Sequence, residues 1–294
     1  MPLSRVIALT SLTMLAFAGN SLLCRIALTR SGIDAASFAA IRLISGAIML
    51  WLVVRLRRRS WVGGGNWWSA LALFAYAACF SYAYASLPTA TGALLLFGAV
   101  QATMIGYGIR TGERLRMVQI LGLALALIGL VGLLLPGISA PSVSGSILML
   151  SAGAAWGVYS LRGRSASDPM QVTAGNFLRA VPFALALIVA TLRGVTLDAT
   201  GIGYAVASGA LASGLGYIIW YTVLPSIKAT SAATVQLSVP VIAAAGGIVF
   251  LGEPVTVRLA LTSIAILGGI ALVTTQVKRA HTEGRSIHSV DERD

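Results

Sequence analysis

Residues 35–59 read AASFAAIRLISGAIMLWLVVRLRRR. The first twenty carry one charge, Arg42, and then Arg55, Arg57, Arg58 and Arg59 crowd into five positions. About twenty apolar residues cross the ~30 Å hydrocarbon layer of a bilayer as a helix. A basic cluster at the end of such a run marks the cytoplasmic side. Runs of the same kind recur at 6–28, 67–86, 89–108, 116–135, 144–161, 171–191, 202–221, 229–250 and 256–275. The spacing predicts an all-α membrane protein with ten transmembrane helices.

The composition agrees. Of 294 residues, 57% are hydrophobic and 10% charged, whereas a soluble domain carries about 25% charged residues. The net charge of +12 would suggest nucleic acid in a soluble chain. Here the charges sit in short connections, so lipid is the expected partner and nucleic acid is not. With an even number of spans, alternate connections share a side. Fifteen Lys and Arg fall on the side of both termini, against Arg25, Arg30, Arg193 and Arg258 opposite. The expectation is cytoplasmic termini in a multi-pass protein of the bacterial inner membrane. The first run continues past Ala18 with no cleavage pattern and reads as a retained span. Residues 277–294 are polar and read as a mobile cytoplasmic tail.

The chain repeats internally. A shift of 137 residues aligns Arg25 with Arg162, Arg42 with Arg179, Tyr84 with Tyr221, and Leu87-Pro88 with Leu224-Pro225. A shift of 140 then aligns Gly112-Glu113 with Gly252-Glu253 and Gly129 with Gly269. Residues 1–137 and 138–276 are thus two five-helix repeats. An odd number of spans per repeat inverts the second in the bilayer, a design common in secondary transporters.

In the second repeat Ala229-Thr230-Ser231-Ala232-Ala233, Val239-Pro240, Leu251-Gly252-Glu253 and Gly268-Gly269 resemble the EamA-type repeat of the drug/metabolite transporter superfamily. Ala90-Thr91-Gly92-Ala93, Gly112-Glu113-Arg114 and Gly129 form a looser copy in the first repeat. Pro240 departs from the symmetry, because Val100 is its counterpart. Within the superfamily the chain looks most like amino-acid exporters of the YddG type, which move aromatic amino acids.

Polar side chains at mid-span depth cost a few kcal/mol unless they pair or face water. Asn20, Gln101, Asn176 and Gln236 stand out, Gln101 and Gln236 in corresponding spans, although a helix-to-helix hydrogen bond would also account for each. Tyr76, Phe80, Trp156, Tyr159 and Tyr217 lie deep in their spans. Lining one cavity they would suit a neutral or zwitterionic solute with an apolar side chain; packing or lipid contact is the alternative. Tyr82 to Tyr84 and Trp220 to Tyr221 lie nearer helix ends, where an interfacial belt is expected. Arg42 and Arg179 are expected to snorkel toward an interface, with a gating or substrate role as the alternative. Pro240, one turn from Gln236, is a candidate hinge. Glu113 and Glu253 read as caps of the turns before spans 5 and 10.

Every acidic residue lies in a connection, a helix start or the tail, and no span holds a histidine. No midplane proton carrier is therefore expected, which favours facilitated movement. Absence of HExxH and of GxxxxGK[ST] removes zinc proteolysis and autonomous ATP-driven pumping, so no enzyme activity is expected. Cys24 and Cys79 lack metal or redox spacing, and no cofactor or metal is expected. The reading is a monomeric secondary transporter exporting small neutral or zwitterionic metabolites by alternating access around a midplane cavity, with amino acids, aromatic ones included, as the substrates the resemblance implies. Broad drug/metabolite efflux and a non-transporting scaffold are the alternatives.

Overall fold

The structure, a computed structural model, describes residues 1–57, 64–112, 115–137, 140–163, 168–227 and 235–288, with side chains described as far as Val273. These residues form α1 (Leu3–Arg30), α2 (Ala35–Leu56), α3 (Trp67–Tyr84), α4 (Thr89–Arg110), α5 (Met117–Leu134), α6 (Val143–Gly163) and α7 (Pro169–Ala190). They continue with α8 (Ala199–Ser226), α9 (Ser238–Leu251) and α10 (Val257–His288). No strand occurs among the described residues. Six helices, α1, α2, α4, α5, α7 and α8, are long and apolar enough to cross a membrane. Two shorter apolar stretches, Ser238–Leu251 and Val257–Val273, accompany them.

Local chemistry starts and stops these helices. Asp34 and Asn66 accept the amides of Ser37 and Ser69, capping α2 and α3. Asp168 and Asp198 cap α7 and α8 in the same way, with Pro169 in the first turn of α7. Each such cap contributes about 1 kcal/mol. Gly252 ends α9 at φ +68°, a left-handed conformation that glycine adopts freely. The helix α10 runs on to His288, so the backbone of the tail is helical as far as that residue. Propagating a helix already nucleated by an apolar span costs little per residue.

The helices pack as α3 and α4 on α6, α2 on α7, α3 on α7, α2 on α8, α8 and α9 on α1, α4 on α9, and α5 on α10. Exchanging α1–α5 with α6–α10 in order turns each of these pairings into another of the set or into itself. Glycines set the closest approaches, since packing rather than the hydrophobic effect holds helices together in lipid. A Cβ on Gly153 would stand 2.5 Å from the Leu96 carbonyl oxygen, and one on Gly122 2.7 Å from that of Gly269. A Gly153→Leu variant is expected to lose at least 1–3 kcal/mol by overpacking. Lower unfolding temperature and loss of a monodisperse peak in detergent would show it.

One end of the bundle is stitched by hydrogen bonds between connections. The α1–α2 turn meets the α7–α8 turn through Asp34, whose carboxylate accepts the Thr196 amide at 2.8 Å, and through Gly32, which donates to Asp198 at 3.0 Å. Ser86 pairs with Ser142 at 2.8 Å, and Arg258 donates to the Leu135 carbonyl at 2.8 Å. At the opposite end, which carries the start of α1, Asn66 donates its amide to Asn176 at 2.9 Å. Arg162 there reaches Ser69 and Asn66, each at 3.1 Å.

Partial burial alone would raise the Asp34 pKa, but bonds from Ser37 and Thr196 outweigh it and hold the carboxyl below its ordinary value. A depressed folded-state pKa stabilises above the unfolded value of about 3.9 and is lost as pH falls through the folded one. The unfolding temperature should therefore drop below about pH 4, and Asp34→Ala should reduce that part of the acid sensitivity.

Candidate substrate cavity

Polar groups in the middle of α1, α2, α3 and α8 meet at one point. Ser208 donates to the Asn20 side-chain oxygen. The Asn20 amide donates to the Tyr76 hydroxyl at 3.3 Å, and Arg42 Nη2 donates to the same oxygen at 2.9 Å. Ser208 belongs to Ala207–Leu215, a π-helical stretch in α8. Such stretches are rare and favour functional sites. Gly209 within it lies so close to the Arg42 carbonyl that a Cβ has no room. That contact lets α8 press on α2 and brings Ser208 to Asn20.

Beside this cluster lies a cavity of about 420 Å³, within the range of small-molecule sites. Asn20, Tyr76 and Phe80 line its deep part. Trp156 is stacked on Tyr217 at 5.5 Å and 21°, and on Tyr159 at 5.3 Å and 28°. All three line the cavity, as do Gln101 from α4 and Gln236 just before α9. The structure thus gathers all eight nominated substrate residues around one space. Among the described residues no Asp, Glu, His, Lys or Arg lines it. Gly163, Pro169 and Leu224, at helix ends opposite the stitched end, also line it, so the cavity runs from mid-bundle to that end.

The stitched end closes over Glu253. Its carboxylate accepts the Thr89 amide at 2.8 and 3.0 Å and the Thr89 hydroxyl at 3.2 Å. Arg25 Nε approaches it at 3.4 Å, the single ion pair among the described residues, and Arg25 also donates to the Tyr84 carbonyl at 2.8 Å. Glu253 therefore caps α4 and not the start of α10, which corrects the expected turn cap. The sequence cannot reveal a partner 164 positions away.

The sequence profile of the EamA-like transporter family matches residues 143–275. An uncharacterised protein of Pseudomonas aeruginosa is 55% identical over 97% of this chain and 100% of its own length. An uncharacterised transporter of Archaeoglobus fulgidus is 26% identical over 93% of this chain and 98% of its own. The threonine/homoserine exporter RhtA of Salmonella typhimurium is 31% identical over 56% of this chain and 57% of its own. That profile match covers just under half of the chain, and the chain is similar to EamA-like transporters. A solved crystal structure with 20% identity superposes with a TM-score of 0.68 over 94% of this chain and 99% of that one, which shows a shared fold. With six helices long and apolar enough to cross a membrane, this similarity supports a multi-pass membrane protein, in which exposed apolar side chains such as Ile128, Val249 and Ile264 are expected to face lipid.

Several positions differ from expectation. Trp220 and Tyr221 line the cavity instead of forming a belt. The π stretch upstream adds residues per turn and rotates the face that follows. Tyr84 is wholly buried, because Gly92 admits its ring beside α4; Tyr82 stays 37% exposed. Arg42 does not snorkel. It is 2% exposed, with its guanidinium 5.0 Å from the Tyr76 ring centroid and 4.8 Å from that of Phe80. Arg179, its repeat counterpart, instead reaches the Gly64 and Gly175 carbonyls near the end of the bundle. Pro240 sits in the first turn of α9, just after the turn at Leu237. A proline lacks the amide to bond the carbonyl four residues back, here Gln236, which accounts for the break. Asn176, the remaining mid-span amide, lines the cavity as well; Phe17 and Ser213 do so without having been nominated, and Phe17 lies one turn from Asn20, a spacing that would have signalled it. The Ala229–Ala233 motif and Glu113 lie outside the described residues.

Proposed function

We propose that this chain exports small neutral or zwitterionic metabolites, amino acids including aromatic ones among them, across the bacterial inner membrane by alternating access without a coupled ion. In this reading ten spans form two inverted five-helix repeats with both termini cytoplasmic. The pairing of helices that survives exchange of the halves supports the repeat. The observation that carries the function is the cavity: aromatic, amide- and hydroxyl-edged, and free of ionisable carriers among the described residues. A relative named as a threonine/homoserine exporter supports the amino-acid class.

Repeat-related residues occupy unlike arrangements, which supports alternation. Arg25 holds the Tyr84 carbonyl at the stitched end. Its counterpart Arg162 is bonded to Ser69 and Asn66 instead, and Tyr221, the counterpart of Tyr84, lines the open cavity. By the charge count, the open end faces the cytoplasm. In the opposite state the two arginines exchange roles, and α9 bends at its break before Pro240. Pro240→Ala restores the missing amide and is expected to slow flux several-fold with normal folding; an unchanged rate would remove the hinge.

Counterflow of labelled threonine, homoserine and phenylalanine in proteoliposomes tests the whole reading. Saturable exchange, equal with and without a pH gradient, is the expected result. No flux of any of the three would overturn the substrate class, and dependence on the gradient would overturn the uncoupled mechanism. The aromatic lining also serves broad efflux, which would appear as equally potent inhibition by apolar drugs that lack an amino-acid group.

A further inference from the structure

Arg42 is the one cation wholly enclosed by the described part of the bundle. It is 98% buried by the 2% exposure of its side chain, has no carboxylate partner among the described residues, and leaves Nη1 without a hydrogen-bond acceptor. A buried charge that is neither paired nor fully bonded is costly, and a chain retains one where a ligand completes it. Arg42 does not itself line the cavity. It stands behind Tyr76 and Phe80, one ring away from the solute space.

The Tyr76 hydroxyl relays that charge. Its oxygen accepts from Arg42 at 2.9 Å and from Asn20 at 3.3 Å. Asn20 is itself held in that orientation by Ser208, which donates to its oxygen. With two donors on the oxygen, the remaining capacity of the phenol is its own proton. That proton has no acceptor among the described residues, and Tyr76 lines the cavity. Donors in series polarise one another, so the hydroxyl is a strengthened donor beside a buried positive charge. Next to it, 4.8 Å from the Tyr76 ring centroid, the Trp156 indole, stacked in turn on Tyr217, offers an electron-rich surface to an ammonium group.

We infer that Tyr76, charged from behind by Arg42, is the docking point for the carboxylate of the solute, with its ammonium end toward the Trp156–Tyr217 stack. The inference rests on the cavity being the substrate site. Tyr76 is the contact residue and Arg42 a positioning residue that acts through it. The solute's carboxylate supplies the missing counter-charge, so anionic and zwitterionic solutes bind more tightly than the corresponding alcohols.

The test is binding to the purified full-length protein, read by tryptophan fluorescence and calorimetry. The probes are L-phenylalanine, 3-phenylpropanoate, 3-phenylpropanol and phenethylamine, which share one apolar part. Phenylalanine and 3-phenylpropanoate are expected to bind at least tenfold more tightly than 3-phenylpropanol. Tyr76→Phe keeps the ring and is expected to erase that preference, read as the acid-to-alcohol ratio of dissociation constants. Arg42→Lys, which retains the charge but not the reach of the guanidinium fork, should reduce the preference part-way; a merely structural role would not move the acid-to-alcohol ratio. Equal binding of acid and alcohol to the unaltered protein, no carboxylate binding, or an undiminished preference in a folded Tyr76→Phe protein would each overturn the inference. If 3-phenylpropanoate binds with the expected preference while no amino acid is exchanged in proteoliposomes, the export reading fails and the carboxylate site stands.

Discussion

Glu253→Ala is expected to move the resting protein from the cavity-open state described above to one open at the stitched end. The carboxylate receives three hydrogen bonds from Thr89 and the approach of Arg25. Hydrogen bonds to charged groups contribute about 1.5–3 kcal/mol each, and breaking a largely buried pair costs about 3–5 kcal/mol. The side chains of Arg25 and Glu253 are 18% and 13% exposed, so solvent screens part of this and the lower end applies. A shift of about 3 kcal/mol changes the ratio of the two states more than a hundredfold. Because a carrier must revisit both states, exchange should fall at least tenfold even though no cavity residue is touched. The direct readout is a single cysteine, Ser21→Cys, at the deep end of the cavity in a background lacking Cys24 and Cys79. An impermeant thiol reagent should modify it from the side of the termini in the parent and from the opposite side once Glu253 is removed. Unchanged sidedness would show that the stitched end is not a gate. Glu253→Gln, which keeps the shape and loses the charge, should lie between the two.

The residues of that contact were visible in the sequence, but their partnership was not. Arg25 and Glu253 were each recognised as repeat-related, one by its pairing with Arg162 and the other by its pairing with Glu113. What brings them together is the packing of α9 against α1 and α4, set by small residues whose contacts have no sequence signature. Cavity residues were easier to nominate for a physical reason. In apolar spans an amide or a deep aromatic is rare, so Asn20, Gln101, Tyr76 and Trp156 stand out against their surroundings. Counting depth along a regular helix then failed where regularity failed. Trp220 and Tyr221 follow the π stretch of α8, and the extra residues of its turns carry both onto the cavity face. Arg42 shows a different limit. Its depth alone fits snorkelling, and only the rings of Tyr76 and Phe80 around it show that the guanidinium is held inside.

Trp156→Ala is expected to produce the largest change in solute preference. The indole contacts Tyr76 at 4.8 Å between ring centroids and stacks on Tyr217 and Tyr159, so it joins the deep polar cluster to the open part of the cavity. Apolar surface buried by an aromatic solute against it is worth about 1.5–3 kcal/mol. Ring-to-ring geometry adds about 0.5–1.5 kcal/mol. Together these predict a hundredfold rise, to order of magnitude, in the half-saturation concentration for phenylalanine. Threonine, which offers a methyl group in place of a ring, loses only the smaller share, so its half-saturation should rise less than tenfold. The ratio of the two is the measurement, taken by counterflow in one preparation, because a general loss of folded protein lowers both maximal rates without changing it. Trp156→Phe retains a ring in the stack and should recover most of the phenylalanine preference. Parallel losses for both solutes would place Trp156 in the packing of α6 and remove it from recognition, leaving the Tyr76 end of the cavity to set which solutes are accepted.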